Sequence, residues 1–246
     1  MKKVIFSVLL LFVISVPAMA KTNIQFPNTL TQDDFKAFSE DLGMALSYQP
    51  LSPAAPLGDK LPGFDAGVEA SFVKLDTSAP YFTKINQLGD IPNTLVLPRV
   101  HVQVGLPIIP IDLGVSYTKV GDIKLTGFEI KYAILRGGIA LPAIAIRGAY
   151  TKLSGVDELD LSTKSVDLSI SKGILIFTPY AGVGEVWITS DPHPKITITP
   201  ALQKEDITKT KFFVGTKMKI FPFVNLVVEG DFSNVKEYSA RLNINF

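Results

Sequence analysis

Two histidines, His101 and His193, are the side chains of this 246-residue chain best suited to proton transfer near neutral pH. Nucleophilic hydrolysis would require such a base together with a nucleophile and an orienting acid within hydrogen-bond reach. His101 lies in RVHVQVGL, where every second residue is apolar, and His193 lies in SDPHPKI, between two prolines. The two are far apart in sequence, no G-x-S-x-G elbow occurs and there is no cysteine. Neither a hydrolase motif nor a zinc ligand set is spelled out, and no metal or cofactor is expected. His101 therefore reads as a structural or ion-paired group, and His193 as a loop residue.

A larger polar set has a regular phase. Glu69, Arg99, His101, Gln103, Glu129, Lys131, Arg147, Lys217, Glu229 and Arg241 each fall on the polar side of a short alternating segment. Asp65, Asp112, Asp167, Lys219 and Asp231 share that phase. Two uses of the set stand open: an electrostatically paired filling, or a selective path for a small solute. Mixed signs favour pairing over selectivity for one charge. A separate acidic run, Asp157, Glu158 and Asp160 in SGVDELDL, reads either as a solvated loop or as a divalent-ion bridge to lipopolysaccharide.

The elements that position these residues are strands. From Phe64 onward apolar residues recur with period two, as in FDAGVEASF, RVHVQVGL and IDLGVSYT. The pattern returns in FEIKYAI, IAIRGAYT, SVDLSIS, KFFVGTKMKI, VNLVVEGDF and YSARLNINF, with FTPYAGVGEVWIT as a blurred case. These make ten strands. In the nine clear segments no Asp, Glu, Lys or Arg interrupts the apolar face within the strand body. Tight links such as PIIP, RGGIALP, KGILI and FPF alternate with more variable ones, two of them long, Leu75 to Thr94 and Ser190 to Ile207. Alternating short turns and longer loops mark an up-and-down barrel with a periplasmic and an external rim. A soluble sandwich would also alternate. Aromatic residues near strand ends, Phe72, Tyr117, Phe128, Tyr150, Phe212, Phe232 and Tyr238 at one rim and Phe64, Phe223 and Phe246 at the other, favour the membrane barrel.

Three segments precede the strands. MKKVIFSVLLLFVISVPAMA is a secretory signal peptide over 1–20, cleaved before Lys21 and too short to span a bilayer. Of 24 basic side chains Lys2 and Lys3 leave with it, so 22 face 23 acidic ones, a balance that does not argue for nucleic acid. Beyond the leader no stretch of about 18 apolar residues is free of charge, so no helical span is expected. Within 21–62, TLTQDDFKAFSEDLGMAL is the one convincing helix. Thr31 and Asp34 form a capping box, and Phe35, Phe38, Leu42, Ala45 and Leu46 share one face. YQPLSPAAPLGDKLPGF follows, too rich in proline for periodic structure and read as a stiff connector. The helix, with Asp33, Asp34, Lys36, Glu40 and Asp41 on its polar side, is expected at or inside the periplasmic mouth of the 63–246 barrel. It could plug the lumen there, rest on the inner leaflet surface or dock on a periplasmic partner.

YSARLNINF resembles the C-terminal signal strand of bacterial outer-membrane β-barrel proteins, with apolar residues at Tyr238, Ala240, Leu242 and Ile244 and an aromatic end at Phe246. That resemblance implies an all-β transmembrane up-and-down antiparallel barrel with an N-terminal amphipathic helix. It also implies the outer membrane as location, the barrel assembly machinery as a partner during biogenesis, and contact with outer-membrane lipid and lipopolysaccharide. The helix, connector and small barrel together resemble plugged outer-membrane transporters of hydrophobic compounds. About ten strands enclose too little space for an open porin channel. The expected function is gated or passive transport of a small, hydrophobic solute. The alternatives are a filled structural or adhesive barrel acting through its extracellular loops and, third, a membrane-embedded hydrolase.

Overall fold

A computed structural model describes residues 24–86 and 93–246; the leader expected over 1–20 lies outside the described residues. Ten strands run in order: β1 (Gly63–Lys74), β2 (Thr94–Gly105), β3 (Ile111–Val120), β4 (Ile123–Arg136), β5 (Ala143–Ser154), β6 (Leu159–Ser171), β7 (Phe177–Pro192), β8 (Glu205–Phe221), β9 (Val224–Phe232) and β10 (Lys236–Asn245). Each pairs antiparallel with the next, and β10 pairs back onto β1, so the sheet closes into a barrel with no free edge. The blurred segment is β7, where Pro179 stands near the strand start and accepts at its carbonyl from the Lys172 amide.

The period of two decides which side chains meet lipid. Val100, Val102, Leu113, Val115, Ile130, Ile146, Val166, Leu168 and Val214 are exposed on the outer wall, whereas Asp65, Glu69, Arg99, Asp112, Lys131 and Arg147 are buried inside. An outer surface this apolar would be an aggregation hazard in water and is the natural one against acyl chains. Phe72, Tyr117, Trp187, Phe212 and Tyr238 are exposed toward one rim, and Phe64, Phe177, Phe221, Phe223 and Phe246 toward the other. Closure, an apolar wall, a charged interior and two aromatic girdles make this a membrane-spanning barrel of the bacterial outer-membrane kind.

The rims differ. One carries the links 106–110, 137–142, 172–176 and 222–223 together with the start of β1 and the end of β10; we call it the turn rim. The other, the loop rim, carries the links 75–93, 121–122, 155–158, 193–204 and 233–235. Only 75–93 and 193–204 are long, and 121–122 is as tight as any turn opposite. The expected contrast in length therefore rests on two loops.

Helix α1 (Gln32–Ala45) has the expected capping box, with the Thr31 amide donating to Asp34 Oδ2 at 3.0 Å. A second, shorter helix, α2 (Pro80–Asn86), lies in the first long loop and had no signal in the strand pattern. The place of α1 corrects the sequence reading: it fills the loop rim, opposite the mouth where β1 begins. Phe26, Leu30, Phe35, Phe38, Met44 and Leu46 pack there against Val73, Leu125, Leu153, Leu161, Val186, Ile188 and Ile207, inward residues near the loop-rim ends of the strands. The physical reason is reach. A dozen extended residues cover about 40 Å, more than the roughly 25 Å apolar band of a barrel wall. The connector is therefore long enough to put α1 at the far end. Gly43 permits the close fit, because a Cβ there would collide with the Ile188 side chain.

Candidate functional site: the threaded lumen

The site is the barrel interior, and what occupies it is the proline-rich connector. Every residue from Gly43 to Ser52 is buried. From the loop rim downward the chain is held by lumenal side chains at almost every step. Thr151 Oγ1 donates to the Leu46 carbonyl at 3.0 Å, and Lys211 Nζ to the Tyr48 carbonyl at 2.7 Å. Gln49 Nε2 donates to Glu237 at 2.6 Å. The Leu51 amide donates to Glu229 at 3.0 Å, while its carbonyl accepts from Arg241 at 3.3 Å. Arg147 reaches Ser52 Oγ at 3.0 Å, and Lys131 Nζ reaches the carbonyls of Pro53 and Ala55 at 3.0 and 3.1 Å. Near the turn rim the Leu57 amide donates to both oxygens of Asp112 at 3.1 Å.

A proline-rich segment explains this pattern. Proline has no amide hydrogen and disfavours helix at the residue before it, so 47–58 satisfies few of its own backbone groups. Buried backbone groups must be paired, and here side chains of the wall pair them. Leu51 has a positive φ of 44°, an uncommon conformation for a branched residue. It is fixed by the two bonds above and by packing against Tyr180, Phe213 and Val227.

The wall also pairs with itself. Glu69 stands directly across from Arg99 on one side and Arg241 on the other, with Arg241 Nε at 2.8 Å and Arg99 at 3.5 Å from its carboxylate. Lys131 meets Asp112 at 2.9 Å, and Arg147 Nε lies 3.0 Å from Glu129. Gln103 is buried among these groups, and Lys217 is half-buried nearer the turn rim. Of the polar set named from sequence, Glu69, Arg99, Arg241, Glu129, Lys131, Arg147 and Glu229 thus meet each other or the threaded segment. The sequence reading omitted Lys211 and Glu237 from the set, although both share the strand phase of Lys217 and Arg241. It also passed over Tyr48, Gln49 and Ser52, because a segment read as a linker gave no reason to look for ligands.

His101 belongs to the same network. Its Nε2 lies 3.1 Å from Tyr48 Oη and 3.4 Å from Glu129 Oε1, and at 1% exposure it is sealed beneath the connector. A base and an acid are in contact there, but the Tyr48 ring covers them. His193 pairs with Asp160 at 3.2 Å on the surface.

The charges of α1 meet the loop rim and not the lumen. Asp34 pairs with Lys84 of α2 at 2.5 Å, Glu40 with Lys209 at 2.5 Å, and Asp41 accepts from Tyr81 and Asn234. Burial raises Asp34, but the bonds from Lys84 and Thr31 outweigh it and hold its carboxyl below the usual range. Burial pushes the Asp41 carboxyl up despite the bonds from Tyr81 and Asn234. Asp33 and Lys36 are exposed, and Leu42 packs at the edge of the apolar cluster. The acidic run next to this cap is engaged within the fold: Asp157 with Lys195 at 2.6 Å, Glu158 with the Phe26 amide at 3.2 Å, and Asp160 with His193.

At the turn rim Phe246 exchanges both backbone hydrogen bonds with Phe64, at 3.0 and 2.7 Å. Tyr238 and Phe246 are exposed on the outer wall, and Leu242 and Ile244 are half-exposed between them.

No protein-family model and no curated protein sequence matches the chain. Among solved structures it is similar to a loop-deleted OmpT, an outer membrane protein of Vibrio cholerae, at 13% identity and a TM-score of 0.34, covering 61% of this chain and 54% of that one. The chain thus spans about half the length of that protein. It is also similar to the translocator domain of the autotransporter NalP from Neisseria meningitidis, at 8% identity and TM-score 0.40 over 87% and 95% of the two chains. Acinetobacter baumannii Omp33 follows, at 7% identity and TM-score 0.33 over 74% and 97%. Likenesses this distant carry no argument about function.

Proposed function

We propose that the protein is a sealed outer-membrane barrel, a structural and adhesive element that presents the cap of α1, α2 and the two long loops outside the cell. This inverts the order of readings drawn from sequence, where solute transport stood first. The observation that carries it is the filling of the lumen. A segment bound from Leu46 to Leu57 by wall side chains, with an apolar cap above it, leaves the interior occupied along its length. The orientation follows from the usual arrangement of short periplasmic turns and longer external loops.

Planar-bilayer recording tests the reading. The full chain is expected to be silent, and a chain lacking 24–58 to conduct as an aqueous pore of narrow diameter. Steady conductance from the full chain would overturn the proposal. One observation favours gated transport as the second reading: the threaded segment is held by side-chain bonds and not by strand pairing, so it can leave without breaking the sheet. That reading requires solute uptake by liposomes carrying the full chain, lost when the segment is cross-linked to the wall.

A further inference from the structure

Six lysines stand on the outer wall at the loop rim: Lys74, Lys119, Lys124, Lys152, Lys164 and Lys236. All are exposed. Their arrangement is unusual in two respects. Lys74 lies directly across from Lys236 in the β1–β10 pairing, and Lys119 directly across from Lys124 in the β3–β4 pairing. Like charges opposite one another, with Cβ atoms about 5 Å apart, destabilise a sheet. The second feature is continuity. Lys152 is the diagonal neighbour of Lys124, since Ser154 faces Lys124, and Lys164 is the diagonal neighbour of Lys152, since Ser162 faces Lys152. Barrel strands tilt by roughly 35–45°, so a row that steps one or two residues per strand runs level around the rim.

The row lies just beyond the aromatic girdle. Phe72 and Tyr238 are the next outward residues below Lys74 and Lys236, Tyr117 is next below Lys119, and Trp187 faces Lys164. That is headgroup depth. Among the described residues, none of the six makes an ion pair. Of the acids toward the same rim, Asp160 pairs with His193, Asp206 with Thr189 and Lys204, and Glu185 with Thr210, while Asp122 in the β3–β4 turn is exposed and makes no ion pair with Lys119 or Lys124. At the turn rim Arg136 pairs with Asp59 and Lys172 donates to the carbonyls of Gly138, Ile139 and Leu141, whereas the exposed Lys60 and Lys219 make no ion pair and face no second lysine across a strand pair.

We propose that the Lys74/Lys236 and Lys119/Lys124 pairs are binding sites for the phosphate groups of a phosphorylated lipid headgroup, with Lys152 and Lys164 extending the second site around the rim. A phosphate between two facing ammonium groups converts their repulsion into two charge-assisted hydrogen bonds. Apolar girdle residues directly below receive the acyl chains of the same molecule. Lipid phosphate and free phosphate share this chemistry, and the girdle argues for the lipid.

The test uses the full chain in phosphatidylcholine nanodiscs doped with bisphosphorylated lipid A or with its dephosphorylated form. Retained lipid is counted by native mass spectrometry after detergent exchange. The bisphosphorylated lipid is expected to be retained about tenfold more, and the preference to disappear in the combined variant Lys74→Gln, Lys236→Gln, Lys119→Gln and Lys124→Gln. Heat-modifiable migration reports whether the variant is folded, and the comparison of the two lipids on the unsubstituted protein stands without it. Equal retention of both lipids overturns the proposal, as does an unchanged preference in the folded variant. Displacement of bound lipid A by millimolar inorganic phosphate would assign the pairs to a soluble anion and overturn the lipid site.

Discussion

Glu69 sits between two guanidinium groups, and Arg241, which pairs with it, also holds the Leu51 carbonyl. One carboxylate therefore sets both the wall and the thread. Removing one partner of a buried ion pair leaves the others charged and unpaired, at a cost of about 3–5 kcal/mol. Glu69→Gln is expected to lose stability of that order. The measurement is urea unfolding in detergent, followed through Trp187, the only tryptophan of the chain. A loss below about 1 kcal/mol, the usual value of an exposed pair, would mean that the triad is solvated. The inward phase of Glu69, Arg99, Arg147 and Arg241 was legible in the sequence because a strand puts alternate residues on opposite faces. The segment that shares the lumen with them was not. Backbone amides and carbonyls of 46–57 carry no residue-type signal, and proline made that stretch look like a spacer when the shortage of self-pairing is what suits it to being bound by a wall.

Helix α1 shows the same division at the level of elements. Its existence followed from the Thr31–Asp34 box and the spacing of Phe35, Phe38 and Leu42, all local properties. Its location did not, because an apolar helical face fits a barrel rim, a leaflet surface or a partner equally well. What selects the loop rim is shape: apolar inward ends on β4 to β8, and a glycine where Ile188 comes closest. Gly43 weakens the helix by propensity yet is required by packing. Gly43→Ala is therefore expected to loosen the cap by about 1–3 kcal/mol despite its gain in helix propensity. Ile188→Ala in the same chain should recover part of that loss by making room. Limited proteolysis near Asn28 and Thr29, both exposed, reads the docking of α1. If Gly43→Ala protects the segment as well as glycine does, the close contact is not what seats the helix.

For the molecule as a whole, the threading separates ends that a barrel normally keeps together. Phe246 and Phe64 are bonded at the turn rim, whereas Phe26 is bonded to Glu158 and packed on α1 at the loop rim. The segment between Phe26 and Phe64 crosses the full height of the wall inside a closed sheet. Because the sheet has no edge, the thread cannot enter sideways after closure, so the barrel must close around it or the segment must pass along the lumen. Either route delivers α1 to the side opposite the turns. The chain has no cysteine, which gives a clean background for labelling. Asn28→Cys and Lys60→Cys introduce exposed thiols at the two rims. In intact cells a membrane-impermeant maleimide is expected to label Asn28→Cys and to reach Lys60→Cys only after the outer membrane is opened. The opposite pattern would place the long loops in the periplasm and with them the cap, removing the adhesive reading at once. Labelling of both in intact cells would mean that reagent passes through the lumen, which a filled barrel does not allow.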